Sequence, residues 1–294
     1  MAGRRPLRDH RLRRGLAALC AAAVLAGCAG HAAGQDVDTA SVRSSPTAEV
    51  VPPRPVAPAV DAVRVLTDVT AAAAGAGGTV TVAVQDADGH QLLAGGDAGA
   101  PAYTASLVKV VVVTRLLQLD QAGAVPLDES DLERAQRAIT DSDDDAMSLL
   151  WDRYDGARLV TDLAGELGLT GTAPPAIAGQ WGQATTTAAD YATVLRRLPE
   201  LLDAERAGLL TGWLGSVATT AADGFDQRFG LFGRAGVKQG WMCCVDGRRQ
   251  LHSAGVLPDG RVVVLLGDFP TSTTWDRARA ALDGAAAAVL AGIG

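Results

Sequence analysis

Lysine is almost absent from this chain of 294 residues. The chain carries 26 lysines and arginines, but only Lys109 and Lys238 are lysines, so the other 24 are arginines. An ammonium group can lose its proton when it is removed from water, whereas a guanidinium group stays charged. Since the sequence uses arginine wherever any cation would serve, its two lysines are the first candidates for a reactive site.

Cysteine and histidine are too few and too scattered to predict a metal site. None of the four cysteines forms a C-x-x-C pair, and the four histidines lie far apart. We therefore expect neither a metal nor another cofactor. Cys243 and Cys244 are adjacent, and the roughly 3.8 Å between neighbouring Cα atoms is below the usual disulfide minimum of about 4.4 Å. Two free thiols and a strained vicinal disulfide are both left open.

The apolar run near the start of the chain is too short to span a bilayer. Residues 15–26 are about half of the roughly 20 residues that a transmembrane helix needs. Six arginines precede the run, and a basic region followed by a short apolar core is typical of a secretory signal. An uncleaved anchor helix is the less favoured alternative.

The apolar run ends in Leu25-Ala26-Gly27-Cys28, which resembles a bacterial lipobox. The resemblance implies that residues 1–27 are a lipoprotein signal peptide and that Cys28 is lipidated. The protein would then be anchored to the extracytoplasmic face of the cell membrane. Residues 28–59 are rich in alanine, proline and small polar residues, a composition that predicts a disordered tether.

The charge balance argues against a nucleic-acid partner. The whole chain carries −7, and residues 1–27 contribute six arginines and one aspartate, or +5, so the remainder carries −12. Binding to phosphates needs clustered lysines and arginines. No such cluster is left once the signal segment is removed, and we expect a monomer with no nucleic-acid partner.

Hydrophobic periodicity predicts an α+β fold for residues 60–294. The expected helices cover 60–74, 104–120, 132–139, 146–154, 157–167, 188–198, 204–217 and 274–290. The expected strands cover 79–84, 91–94, 237–244, 250–256 and 261–266. Segment 104–120 is apolar almost all round, as in a buried helix, although its valines also admit a strand. Strands at both ends predict one antiparallel sheet of about five strands, flanked by terminal helices, with a helical subdomain (about 104–225) inserted.

Three short segments could carry chemistry. Ser106 lies three residues before Lys109, so both side chains share one helix face. A hydroxyl becomes a nucleophile when a base takes its proton, and a lysine among valines has a lowered pKa. Ser142 precedes a helix within an aspartate-rich segment that also fits an ordinary helix cap. Lys238 opens Lys-Gln-Gly on a strand, where glycine permits close approach. Each segment alone is weak evidence.

In this order, Ser-x-x-Lys, Ser-Asp-x and Lys-x-Gly resemble the signature elements of class A β-lactamases and penicillin-binding proteins. The resemblance implies the β-lactamase/DD-peptidase fold, with Ser106 as the acylated nucleophile and Lys109 as its base or proton relay. Ser142 would pass a proton to the leaving nitrogen, and Lys238 would bind the substrate carboxylate. It further implies an oxyanion hole made by the backbone N–H groups of Ser106 and Trp241, and substrate contacts from Asp144, Gln239 and Gly240.

The sequence also departs from the family pattern. Asp144 stands where the family has asparagine, and Gln239 where it has a hydroxyl residue. The interval from Ser106 to Ser142 is short, so we expect part of the cleft wall to be missing. Class A β-lactamases carry the glutamate that activates the deacylating water in the loop that corresponds to residues 171–184, which here contain no acid. Glu166 precedes that loop and is interpreted as a surface residue, so β-lactam turnover is disfavoured.

Three functions are compatible with this pattern. The favoured one is a lipid-anchored serine hydrolase or acyl-transfer protein acting on a peptidoglycan-like peptide or a β-lactam-like small molecule. The alternatives are a catalytically impaired binding or scaffolding lipoprotein and a true β-lactamase. Gln227, Arg228 and Arg234 either line the cleft or, as we favour, are surface polar residues on a connecting loop.

Overall fold

The computed structural model of the protein describes residues 60–294. The predicted signal peptide (1–27), the lipidation of Cys28 and the tether (28–59) lie outside these residues. No helix within residues 60–294 combines the length and the apolar character that crossing a membrane requires.

Eight α-helices and seven strands form within residues 60–294. The helices are α1 (Ala62–Gly75), α2 (Val108–Gln121), α3 (Glu129–Thr140), α4 (Asp144–Tyr154), α5 (Gly156–Leu167), α6 (Ala188–Leu201), α7 (Ala204–Gly215) and α8 (Trp275–Ile293). The strands are β1 (Thr79–Gln85), β2 (Gln91–Gly95), β3 (Ala102–Tyr103), β4 (Thr185–Thr186), β5 (Gly236–Val245), β6 (Arg248–Val256) and β7 (Val262–Pro270).

Five of the strands form one antiparallel sheet in the order β2-β1-β7-β6-β5. One face packs against α1 and α8 through a core that includes Leu251 and Leu282. The other face packs against the helices between β3 and β5, with Ala254 among the contacts. Because side chains alternate across a strand, β6 supplies both cores. The predicted α+β fold, with its five-stranded antiparallel sheet, is confirmed.

Segment 104–120 is helical, so the strand alternative is wrong. A 3₁₀ turn (Ala105–Leu107) leads directly into α2, ten of whose fourteen residues are buried. The α3 helix begins three residues earlier than predicted, because Asp128 and Asp131 form a reciprocal capping box. The β3 and β4 strands were missed because two-residue strands show no alternation.

A buried carboxylate joins the start of α3 to the end of α4. The Asp131 side chain is fully buried and accepts hydrogen bonds from Arg153 (2.8 Å), Arg134 (3.1 Å) and the Tyr154 hydroxyl (2.6 Å). Burial together with the bond to Asp131 raises the pKa of Tyr154 to about 12. This contact fixes the hairpin of helices whose connecting turn carries Ser142.

Replacing Asp131 by alanine is expected to lower the free energy of unfolding by about 3 kcal/mol, because several donors lose a buried acceptor at once. Glu133→Ala, a change at an exposed position of the same helix, should stay within about 0.5 kcal/mol of wild type. Urea denaturation measures both values. A loss below about 1 kcal/mol for Asp131→Ala would show that the carboxylate does not hold the hairpin.

Candidate active site

Ser106 lies in the tight turn that precedes α2. Its neighbour Ala105 has a φ of +45°, a backbone conformation that is uncommon for residues other than glycine. The turn packs against β5, where a Cβ atom at Gly240 would lie 3.2 Å from the Thr104 carbonyl oxygen and 3.3 Å from Leu107. Glycine at position 240 therefore lets β5 approach the Ser106 turn, as the sequence predicted.

Ser142 connects the two lysines. Lys238 Nζ lies 2.8 Å from Ser142 Oγ and 2.8 Å from the carbonyl oxygen of Gln239. Lys109 Nζ lies 2.6 Å from the Ser142 carbonyl oxygen and 3.3 Å from Ser142 Oγ. Both lysines are 0% exposed. One hydroxyl thus contacts both amines in a buried network.

Asp144 forms an ion pair with one of these amines. Lys109 Nζ donates to Asp144 Oδ1 at 2.6 Å. Burial lowers the pKa of Lys109, and the Asp144 carboxylate opposes that shift. Burial and the charge on Lys109 lower the pKa of Lys238 well below its usual value. Lys238 is therefore the amine that gives up its proton more readily.

The segment 140–144 serves both as a helix cap and as part of the site. Asp143 caps α4, accepting a hydrogen bond from Ala146 N at 2.8 Å and pairing with Arg137. Ser142, with a φ of +51°, precedes this cap and turns its hydroxyl toward the lysines. The cap interpretation is therefore confirmed for Asp143, and Ser142 stays a predicted residue of the site.

A cavity of about 300 Å³ opens beside Ser106. Ser106 and Asp144 line it together with Trp181, Trp241 and Met242. Ser106 and Trp241, the predicted oxyanion-hole residues, thus lie on the wall of one cavity. The Trp241 indole donates to Asp223 at 2.9 Å and stacks on Phe225 with ring centroids 4.6 Å apart.

The fold of the chain is similar to that of solved β-lactamase structures. A β-lactamase from Chitinophaga pinensis superposes with a TM-score of 0.64 at 16% identity, covering 78% of this chain and 99% of that one. A class A β-lactamase from Bacteroides cellulosilyticus gives 0.62 at 15% identity, covering 79% and 98%. The chain has the class A β-lactamase fold.

Curated relatives are mycobacterial. The protein named "Putative lipoprotein LppW" of Mycobacterium tuberculosis and of Mycobacterium bovis is 34% identical over 206 residues, which are 66% of this chain and 64% of the relative. The chain thus spans less than two thirds of the length of the curated relatives it matches. No family model matches the chain.

Gln239 does not face the cavity of this β-lactamase fold. Its side chain is fully buried and donates to the carbonyl oxygens of Gln227 (3.0 Å) and Phe229. It therefore supports the loop before β5. The resemblance predicts a substrate contact from Gln239, but the side chain points away from the cavity. Strand alternation points adjacent residues to opposite faces, so Lys238 and Gln239 cannot both face the same layer.

The other cleft candidates also lie elsewhere. Gln227 is buried and donates to the carbonyl oxygens of Thr140 and Ala218, while Arg228 pairs with Asp226 at the surface. Arg234 lines a separate cavity beside α8. None of the three lines the cavity beside Ser106, and the favoured interpretation as surface residues is wrong for Gln227, which is fully buried.

The loop that carries the glutamate of class A enzymes contributes no acid to this cavity. Within residues 60–294, the loop lines it with residues 179–183, including Trp181, whose indole donates to Ser148 Oγ at 3.2 Å. Glu166 lies away from the cavity, bound to Arg115 and Gln118 at 3.0 Å each. Its interpretation as a surface residue is confirmed.

Sequence reasoning missed several residues at this site. Trp181 and Met242 line the cavity, and Asp223 holds Trp241 from a loop distant in sequence. The rarity of tryptophan and methionine was the one available signal for the first two. Cys243 and Cys244 follow Met242 at the exposed end of β5 and are joined as a vicinal disulfide.

Proposed function

We propose that this protein is a lipid-anchored serine acyl-transfer protein of the cell envelope, with a site of the penicillin-binding type. The observation that carries the proposal is the Ser142 hydroxyl in contact with two fully buried amines, beside a cavity that Ser106 lines. Buried amines with lowered pKa values are groups that exchange protons near neutral pH. The acyl donor would be an ester or amide, such as a peptidoglycan-like peptide or a β-lactam-like small molecule.

The reaction would run in two half-steps. Ser106 Oγ attacks the carbonyl carbon while its proton passes to the buried amines, and backbone N–H groups of Ser106 and Trp241 stabilise the oxyanion. The bond to the leaving group then breaks, and the leaving atom takes a proton from Ser142. Ser142 regains a proton from a lysine, which restores the network. The O–H or N–H group of an acceptor molecule finally attacks the acyl carbon, the bond to Ser106 Oγ breaks, and the acceptor proton returns to Ser106 Oγ through the same amines.

The second half-step is expected to be slow with water. The 171–184 loop contributes no carboxylate that could activate water, and Asp144, the one carboxylate that lines the cavity within 60–294, is held in an ion pair by Lys109. An acyl group on Ser106 would therefore persist until a better acceptor arrives. This favours a penicillin-binding type of protein over a true β-lactamase.

The membrane anchor belongs to the same proposal. The relatives bear the name lipoprotein, which supports lipidation of Cys28 and attachment to the extracytoplasmic face of the cell membrane. The acidic composition of the chain agrees with the absence of a nucleic-acid partner. The protein would act as a monomer that contacts the membrane through its lipid.

A second candidate function, a binding or scaffolding lipoprotein with impaired catalysis, is favoured by one observation. A charged lysine has three N–H donors, and those of Lys109 meet three acceptors: the Ser142 carbonyl oxygen, Ser142 Oγ and Asp144. None is left for Ser106 in this arrangement. Acyl transfer requires this network to rearrange, whereas binding does not.

Ester cleavage by the full chain in detergent separates the two functions. With para-nitrophenyl acetate, the wild-type protein should release nitrophenol and carry an acetyl group on Ser106, detected by mass spectrometry of its peptides. Ser106→Ala should lower the rate at least about 100-fold, since it removes the attacking oxygen. Ser216→Ala, the same change at an exposed site, should leave the rate unchanged. A wild-type protein that stays unacylated would contradict the acyl-transfer proposal.

A further inference from the structure

The cavity beside Ser106 exposes negative rather than positive charge. Among its lining residues within 60–294, Asp144 alone is charged, and its side chain is 63% exposed. Its Oδ1 atom pairs with Lys109, while its Oδ2 atom has no hydrogen-bond partner within the described residues. A ligand in the cavity therefore meets a carboxylate oxygen that can still accept a hydrogen bond.

The two lysines offer little to a ligand that carries a carboxylate. Both are completely buried, and their amines already contact Ser142 together with Asp144 or the Gln239 carbonyl oxygen. The residue after Lys238, where the resemblance leads us to expect a hydroxyl, is Gln239, and its side chain points to the loop backbone instead. No exposed cation among the residues that line the cavity within 60–294 replaces it.

Aromatic rings complete the cavity wall. Trp181 and Trp241 both line it, and the amine of Lys109 lies 5.0 Å from the centre of the Trp181 ring. Indole faces attract cations. Asp223 is bonded to the Trp241 indole, and this exposed aspartate adds a second carboxylate beside the wall. Two indoles and two carboxylates in one place favour a positively charged group.

We propose that the acyl donor carries a cationic group, such as an ammonium, where a β-lactam or a stem peptide carries its carboxylate. This inference rests on the proposed acyl transfer and narrows its substrate class. Asp144 attracts the cation from the cavity wall, Asp223 adds negative charge beside that wall, and the Trp181 indole lines the cavity next to the cation. The same two carboxylates repel an anionic donor, so penicillin is a poor substrate of the wild-type protein.

Three para-nitrophenyl esters of similar length test the selectivity. They end in a trimethylammonium group, its neutral tert-butyl isostere, and a carboxylate. The kcat/KM for the cationic ester should exceed that for the neutral ester about 10-fold and that for the anionic ester about 100-fold, which matches one or two charge contacts near a protein surface. A rate for the anionic ester equal to or above that for the cationic ester would overturn the inference.

Three variants test whether Asp144 and Asp223 cause the preference for the cationic ester. Asp144→Asn and Asp223→Asn should each reduce the cationic-to-anionic ratio at least about 5-fold. Asp145→Asn removes the same charge from a neighbouring exposed residue outside the cavity, and it should keep the wild-type ratio. An equal fall in all three variants would indicate general electrostatics and not a built cation site.

A binding measurement separates this inference from the acyl-transfer proposal. Tryptophan fluorescence of Ser106→Ala is titrated with tetramethylammonium and with acetate. Saturable binding of tetramethylammonium by Ser106→Ala, together with a wild-type protein that cleaves none of the esters, would overturn acyl transfer while supporting the cation site. Ester cleavage without a preference for charge, and without tetramethylammonium binding, would leave acyl transfer standing and overturn the cation site.

Discussion

Replacing Asp144 by asparagine is expected to raise the rate of Ser106 acylation by benzylpenicillin about 10- to 100-fold. The carboxylate lies 2.6 Å from Lys109 Nζ and opposes the loss of its proton. Asparagine keeps an oxygen acceptor but removes the charge, so the pKa of Lys109 falls further. A larger share of Lys109 is then neutral and able to accept the proton of Ser106. The variant also removes a charge that repels the penicillin carboxylate.

The rate is measured by intact-protein mass spectrometry over a time course of acylation. Asp145→Asn is the matched control, because it removes a neighbouring charge that has no contact with Lys109 in the described structure. Its rate should equal that of wild type. If Asp144→Asn acylates no faster than Asp145→Asn, the ion pair does not restrain Lys109, and the second function, a binding lipoprotein, gains support.

Replacing Lys238 by methionine is expected to raise the free energy of unfolding by about 2 kcal/mol while reducing ester cleavage. Lys238 is completely buried, and burial lowers its pKa well below the usual 10.5. A buried charge costs desolvation energy, and replacing buried ionic groups by apolar ones of similar size is often stabilising by about 1–4 kcal/mol. Urea denaturation at neutral pH measures the gain.

The stability gained by Lys238→Met should change with pH in a defined direction. Between the lowered pKa in the folded protein and the usual value of 10.5, the unfolded chain binds more protons at Lys238, so this residue makes stability rise with pH. The cost of Lys238 is complete below the folded-state pKa and disappears above 10.5. The advantage of Lys238→Met should therefore shrink as the pH is raised toward that value.

A surface variant provides the comparison. Arg64→Met removes a charge from a side chain that is half exposed, and it should change the free energy of unfolding by less than about 0.5 kcal/mol. A loss of stability in Lys238→Met, or an advantage that grows with pH, would mean that the hydrogen bonds of Lys238 outweigh its desolvation. In that case the amine is structural, and the argument for retained chemistry weakens.

Both expectations follow from the same property of the molecule. The fold keeps two amines in a buried position that lowers their pKa values. Proteins tolerate destabilising groups of this kind chiefly at functional sites. A protein used only as a scaffold would gain stability by losing them.

Much of the fold followed from local patterns. The alternation in β1 and β6 and the helical spacing in α6 depend on neighbours a few residues apart, so the sequence predicted them. The two short strands β3 and β4 pair with each other across more than 80 positions, and nothing in their local sequence marks them. The early start of α3 depended on a carboxylate acting as a cap, a signal that the periodicity did not include.

The site was predictable only in part. Helix geometry predicts that Ser106 and Lys109, three residues apart, share one face. Ser106 lies instead in the turn before α2, and the hydrogen bonds of Lys109 within residues 60–294 go to Ser142 and Asp144. Strand alternation places Gln239 on the face opposite Lys238, but its partners, the carbonyl oxygens of Gln227 and Phe229, depend on how the loop before β5 folds. Asp223 reaches Trp241 through a loop folded over β5, and no spacing in the sequence indicates that contact.

The sequence by itself determined which side chains are chemically unusual: two lysines among 26 basic residues, one of them near a serine on a buried helix, and an aspartate where an asparagine is usual. Only the tertiary structure decided that Ser142 and Lys238, separated by 96 positions, meet at 2.8 Å. Local spacing controls contacts within one helix or strand. Contacts across the site depend on how β5 packs against the Ser106 turn, and that packing is a property of the whole sheet and the helices that cover it.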